Sequence, residues 1–244
     1  MSLMRSRSAS RHHNREEGEK PFWISFSDLM SALMVLFLVA LTVALLAITH
    51  EISESDRHKA EQEEEISDFL TRLQSKVQEF PGVKLRGSVI DFGDRARFET
   101  NSHRLNNSQE SLLRSFVPTV LDLARDPLGE KWLKRIVVEG FADARGGYLH
   151  NLDLSLRRSE RVLCALLLPA SGPDALSEAD QRMVRQLFLV SGASFNSLKN
   201  SPEESRRIEL RLEFRELSEN PIKYSDTTAD TLANADLRCP LDRL

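Results

Sequence analysis

Two small sets of residues in this 244-residue chain have the types and spacing that chemistry needs. The first is a single carboxylate. Residues 22–49 read FWISFSDLMSALMVLFLVALTVALLAIT, and Asp28 is the only ionisable side chain in that run. A carboxylate in hydrocarbon costs at least ~2.5 kcal/mol, so one that persists there generally faces a partner helix or a water-filled cavity and carries protons or ions. The competing reading is an interfacial residue kept hydrated beside Ser25 and Ser27. The second set lies at the junction of an apolar segment and an amphipathic one: Gly140-Phe141-Ala142-Asp143, then Gly146, Asn151, Leu154-Ser155 and Arg158. Asp143 closes a predicted strand and Arg158 falls about two turns into the next predicted helix, so an acid and a guanidinium can reach one mouth. Opposite charges there suit a zwitterion, with Asn151 adding amide hydrogen bonds and Gly146 and Gly147 allowing close backbone approach and positive φ. A plain Asp143 to Arg158 salt bridge tying loop to helix is the ligand-free alternative.

Asp28 needs a membrane around it. The 28-residue apolar run can span a ~30 Å hydrocarbon core with tilt and exceeds the apolar stretch of a secretory signal, so residues 21–49 are predicted to be an uncleaved transmembrane helix. Arg5, Arg7, Arg11, Arg15 and Lys20 precede it, whereas residues 50–65 hold only Arg57 and Lys59 among seven acids. That asymmetry places the N-terminus in the cytoplasm and the rest, in a bacterial inner membrane, in the periplasm. Residues 1–20 form a solvated cytoplasmic tail, His12 and His13 included. Residues 50–82 are a helical linker whose Ile66, Phe69, Leu70, Leu73, Val77 and Phe80 recur at helical spacing. This narrow stripe either pairs with a second copy of itself or lies on the domain that follows.

The second set needs a compact domain, residues 83–217, followed by a patternless tail at 218–244. Residues 85–92 and 97–99 read as short strands, 108–124 as a helix behind a serine cap, and 134–140 as a buried strand. Residues 149–168 and 177–189 read as helices. Residues 207–215 form a strand alternating Ile208, Leu210, Leu212 and Phe214 with Glu209, Arg211, Glu213 and Arg215, which implies one wet face. Helices interleaved with strands point to an α+β domain, a two-layer α/β sandwich with helices on one side of a small mixed sheet.

Composition narrows the function. A net charge of -4 gives no reason to expect nucleic acid. No Ser-His-Asp, Cys-His or zinc spacing stands in the exported part, so neither an enzyme nor a metal site is expected, nor any cofactor beyond a translocated ion. Cys164 and Cys239 are too few for a disulfide framework. Val162 and Leu166 should face the sheet and Cys164, about 200° from Val162 at 100° per residue, should face away. Cys164 can then pair with Cys239 and pin the tail, or both thiols can stay free.

The spacing from Gly140 to Arg158 resembles that of OmpA-like peptidoglycan-binding domains, over roughly residues 83–215, with Phe98, Leu105 and the Arg206-Arg207-Ile208-Glu209 run included. The resemblance implies an OmpA-like fold and a peptidoglycan site made of Asp143, Gly146, Asn151, Leu154, Ser155 and Arg158. In it Asp143 takes the ammonium and Arg158 the carboxylate of meso-diaminopimelate. Replacing either by alanine is then expected to release the wall about equally. The chain departs from the motif at Phe141-Ala142, where His-Thr is usual, and at His150, where an aromatic is common, so polar ligand contacts are expected to be missing. A transmembrane aspartate, an acidic linker and an OmpA-like domain in this order resemble the B subunit of flagellar-type stators. The FWISFSDLMSALM stretch is more narrowly similar to the stator-like membrane subunits of Zorya antiphage defence systems. That likeness implies a homodimer inside a ring of ZorA-like polytopic subunits, Asp28 translocating H⁺ or Na⁺, and an inner-membrane protein anchored to peptidoglycan. A flagellar stator, a passive wall anchor and a TolR or ExbD type transducer are the alternatives, the last lacking an OmpA-like motif.

Overall fold

The computed structural model describes residues 22–168, 175–219 and 239–243. The tail at 1–20 with its two histidines, and most of the tail at 218–244, lie outside the described residues. The chain divides between Arg57 and His58 into two compact units.

The first unit holds the N-terminal part of α1 (Phe22–Val77), whose surface from residue 26 to 49 is predominantly apolar with every side chain exposed. The helix is long and apolar enough to cross a membrane. Three of its hydroxyls are satisfied internally: Ser31 donates to the Ser27 carbonyl at 2.8 Å, Thr42 to Val39 at 2.8 Å and Thr49 to Leu46 at 3.0 Å. Hydrocarbon demands this, because it offers no other acceptor. Asp28 makes no hydrogen bond or ion pair among the described residues, and it shares a strip of α1 with Ser31, Ala32, Val35 and Val39.

The second unit is built on β1 (Lys84–Arg86), β2 (Val89–Asp91), β3 (Leu133–Gly140), β4 (Phe188–Gly192) and β5 (Ile208–Phe214), ordered β1-β2-β5-β3-β4. β3 and β4 are parallel; the other neighbours are antiparallel. Against one face pack α2 (Asn107–Arg125) and α4 (Tyr148–Leu167), with α3 (Pro127–Trp132) and α5 (Glu178–Leu187) beside them; a single turn, α6 (Pro202–Ser205), precedes β5. The core joins Phe116, Val117 and Val120 of α2, Val162 and Leu166 of α4, and Ile136, Val138, Leu210 and Leu212 of the sheet. The other face carries the pairs Arg135–Glu213 and Arg211–Glu139 across β3 and β5. The domain is therefore the two-layer α+β sandwich that the sequence predicts.

Several details differ from expectation. Residues 85–92 form a hairpin rather than one strand: Gly87 takes φ +60° at the first turn position, as a two-residue turn of the II′ kind requires. Residues 97–99 are not a strand, although the Phe98 amide donates to the Arg206 carbonyl at 2.9 Å. The cap of α2 is Asn106, in a reciprocal capping box with Gln109. Helix α5 stops at Leu187 and β4 begins at once, because parallel pairing with β3 claims Phe188 to Gly192 from an apolar run that is equally readable as helix. The final strand's wet face is partly covered, with Glu209 and Arg215 buried.

The apolar stripe at the end of α1 lies on the domain. Phe69, Leu73 and Val77 are fully buried, Phe69 meets Phe214 edge-on at 5.7 Å and Phe80 meets Phe116 at 5.1 Å. Gln62 donates to the Arg215 carbonyl at 2.7 Å, and Glu65 accepts from Trp132 Nε1 at 2.5 Å and Lys131 Nζ at 2.6 Å. Burying such side chains stabilises by about 1.5–3 kcal/mol each, which is why the compact unit takes in residues 58–82 that the sequence assigns to a linker.

Candidate functional site

The site forms where α4 meets the end of β3. Gly140 is indispensable there: a Cβ would lie 2.0 Å from the Ser155 carbonyl oxygen and 2.8 Å from Ser159 Oγ. With no side chain between them, helix and strand end close up. Ser159 Oγ then donates to the Ser191 carbonyl at 2.6 Å, and Ser155 Oγ accepts from the Ser194 amide at 3.1 Å. The loop after β3 turns at Gly146, φ +95°, and leads into α4; Gly147 keeps φ -79° and needs no glycine for its conformation.

A cleft of about 210 Å³ opens at this mouth, lined by Thr100, Asn101, Asp143, Arg145, Gly146, His150, Asn151, Leu154, Arg158 and Arg206. Asp143 is buried and occupied. Its Oδ1 accepts from the Arg145 amide at 3.0 Å; its Oδ2 accepts from Arg145 Nε at 3.1 Å, Arg145 Nη2 at 2.6 Å and Arg206 Nη1 at 3.0 Å. Arg145 foremost, then Arg206, hold its carboxyl down at about 2 against the desolvation that raises it. Arg206 also donates to the Phe98 carbonyl and to Glu203. Asn151 braces the loop by donating to the Arg145 carbonyl at 2.9 Å, and His150 Nε2 lies 2.9 Å from Asn101 Oδ1.

Arg158 is 0 % exposed and makes no bond to Asp143. Its Nε donates to the Ser102 carbonyl at 2.9 Å, Nη1 to Phe141 at 2.6 Å and Nη2 to Glu99 at 3.2 Å, and its guanidinium lies 5.0 Å from the Phe98 ring centroid. Burial first, and then the charge of Arg206, push it down to about 10. Arg158 thus ties the 99–102 segment to the end of β3 with three of its five donors. This corrects the expected division of labour: the acid's partners are Arg145 and Arg206, and Arg158 is principally an internal brace with its edge at the cleft. Ser155 is also corrected from ligand contact to packing residue, since it is fully buried between α4 and the Ser194 amide and does not line the cleft. Phe141 and Ala142 do not line it either. Phe141 is buried beneath the Arg207 guanidinium, 3.9 Å from its ring, and the Ala142 amide donates to Ser194, so the motif departure there removes no cleft contact. Sequence reasoning missed Arg145, Thr100 and Asn101. Arg206 stood in the quoted run that opens the last strand, but nothing local ties it to an acid 63 residues away.

Cys164 and Cys239 are joined in a disulfide with Cα atoms 5.5 Å apart, in a small cluster with Leu168 and Leu241 separate from the main core. No group of metal-binding side chains occurs among the described residues.

No protein-family profile matches the chain. The Zorya protein ZorB of Escherichia coli is 39% identical to it over 226 residues, covering 91% of this chain and 92% of that protein. This chain belongs to the ZorB family. Among solved structures, it is similar to the OmpA-like domain of FopA1 from Francisella tularensis at 17% identity, covering 55% of this chain and 82% of that one with a TM-score of 0.35. It is also similar to the periplasmic domain of Helicobacter pylori MotB, residues 78-256, at 14% identity, covering 63% and 92% with a TM-score of 0.38.

In this ZorB-family chain, three guanidinium groups surround one carboxylate, so the cleft favours anions. A ligand ammonium has to share Asp143 with Arg145, whose exposed side chain also donates to Thr100 at 3.2 Å, while a ligand carboxylate finds its nearest accessible donors on Arg145. The low pKa of Asp143 sets a pH expectation. A depressed carboxyl contributes stability above its unfolded value, 3.8, and loses it as pH falls toward about 2. The difference in thermal midpoint between the parent and Asp143→Asn should therefore stay constant from about pH 5 to 8 and shrink only below about 4. A gap that changes between pH 5 and 8 would show that Asp143 is not the paired carboxylate described.

Proposed function

We propose that this chain is the ion-carrying, wall-anchored membrane subunit of a Zorya antiphage defence complex. In this reading α1 crosses the bacterial inner membrane with the N-terminus in the cytoplasm, and the α+β unit lies in the periplasm. Two copies sit within a ZorA-like ring, and the cleft around Asp143 holds peptidoglycan. The observation that carries it is Asp28, a carboxylate without a partner among the described residues on an apolar helix of membrane length, in a chain 39% identical to ZorB over 91% of its length. Ion flow does work only if a carboxylate changes state between two access positions, and each proton crossing 100 mV yields ~2.3 kcal/mol, so several crossings are needed to turn a ring of packed helices. Anchorage to the wall keeps the carrier from turning with the ring. A passive anchor needs no ring and tolerates loss of the titratable group.

The test is co-expression of the full chain with a polytopic ring subunit encoded beside it, followed by purification in detergent and sedimentation with isolated sacculi. The reading expects the two subunits to co-purify and to pellet together with the wall. Failure to co-purify removes the motor, and failure to pellet removes the anchor.

A further inference from the structure

One stripe of α4 runs through His150, Leu154, Arg157 and Arg161, the spacing of a single helix face. His150 and Leu154 line the cleft around Asp143, whereas Arg157 and Arg161 line a second cleft of about 500 Å³ farther along the helix. The loop after residue 99 borders both, with Thr100 and Asn101 on the first and His103 and Arg104 on the second. The remaining wall is the segment after Cys239, which the disulfide to Cys164 brings against α4, so that Asp242 accepts from Arg161 Nη2 at 2.7 Å.

The second cleft holds three arginines against two acids, and of the arginines Arg157 also pairs with Asp153 outside the lining at 2.8 Å. Arg104 has no ion-pair partner among the described residues. Glu110, one of the two acids in the lining, is engaged by Arg114 at 2.9 Å. The other acid is Asp242, and it satisfies Arg161 only in part, because Arg161 Nε is buried without a hydrogen-bond partner. A carboxylate lying along the Nε–Nη2 edge accepts from both donors, whereas Asp242 reaches one. His103 sits among these arginines, and burial together with their charges holds its ring below the usual histidine range, leaving a neutral hydrogen-bonding group.

We infer that this second cleft is an anion subsite continuous with the first, taking a backbone or side-chain carboxylate of the same peptidoglycan stem peptide, with Asp242 as the resident anion it displaces. The inference rests on the wall-binding reading above. Leu154 and Arg161 are seven residues apart on α4, about 10 Å along its axis at ~1.5 Å per residue, and three extended peptide residues span about the same length at ~3.3–3.6 Å each. A stem peptide whose terminal diaminopimelate reaches Asp143 with its side-chain end covers much of that length within one residue, so the carboxylate of the next residue comes to Arg157 and Arg161.

The experiment titrates the full chain in detergent with two probes: free meso-diaminopimelate, which fills the first cleft alone, and a stem tripeptide that ends in that residue and carries a free carboxylate on its central residue. Arg104→Glu combined with Arg157→Gln removes both charges: Arg104 is exposed, and glutamine at the half-buried Arg157 avoids setting an acid against Asp153 one turn away. The double variant should weaken the tripeptide about tenfold, the size expected from losing two charge-assisted contacts, and leave the free amino acid unchanged. Asp242→Asn should tighten the tripeptide several-fold by removing the competing anion. Equal tripeptide binding by the parent and the double variant overturns the second subsite while the first stands. Binding of neither probe by the parent overturns both the subsite and the wall-binding reading on which it depends.

Discussion

Cells carrying Asp28→Asn are expected to lose phage protection down to the level of cells without the system, while the protein is made and inserted as before. Asparagine keeps the shape and hydrogen-bonding capacity of the side chain and removes its proton, so insertion into hydrocarbon becomes easier rather than harder. Ser31, one turn on, already bonds to the Ser27 carbonyl, and residues 22–49 hold no other ionisable side chain to substitute for Asp28. Asp28→Glu retains the charge one methylene farther out and should restore part of the activity. The measurement is plating efficiency of phage on cells with matched membrane levels of each variant. Protection by the asparagine variant equal to that of the parent sinks the ion path and leaves the passive anchor.

Arg158→Ala is expected to fail as a folded protein before it fails as a wall binder. The side chain is fully buried and donates to the carbonyls of Glu99, Ser102 and Phe141, tying the 99–102 segment to the end of β3. An unsatisfied buried acceptor costs about 1–3 kcal/mol, so orphaning the Ser102 and Phe141 carbonyls, while Glu99 keeps the Ser102 amide, should cost about 3 kcal/mol and lower the thermal midpoint by roughly 10 °C. Lysine cannot repair it, because one ammonium does not reproduce a planar fork aimed at three separated oxygens. Asp143→Ala behaves differently. It frees Arg145, which is exposed, and leaves Arg206 with two other acceptors, so it should keep the fold and weaken the wall ligand. Circular dichroism melts alongside sacculus pelleting separate the two cases. Equal thermal midpoints for the two variants would mean that the brace assigned to Arg158 is wrong, and would return the pair to the symmetric clamp suggested by their spacing.

What the sequence determined by itself is what is written locally or by long repetition. An apolar run of membrane length with one acid needs no tertiary context to be legible, because hydrocarbon imposes its demand on every residue in turn. The helices over 107–125 and 148–167, the strands over 133–140 and 208–214 and the α+β class follow from periodicity, and the Gly140 to Arg158 spacing marks where the cleft forms. The tertiary structure decided what depends on neighbours distant in the chain. The stripe of Phe69, Leu73 and Val77 was equally suited to a second copy or to the domain, and the core chose the domain because Phe214 and its surroundings offered an apolar face. Residues 188–192 became a strand because β3 stood ready to pair. Only the fold revealed the partners of each charge. Asp143 and Arg158 share a mouth, yet Arg206 arrives from the far end of the chain to claim the acid, and three backbone carbonyls from two segments claim the guanidinium. Spacing brings side chains to the same place; which of them bond depends on burial and on every donor and acceptor that folding delivers there.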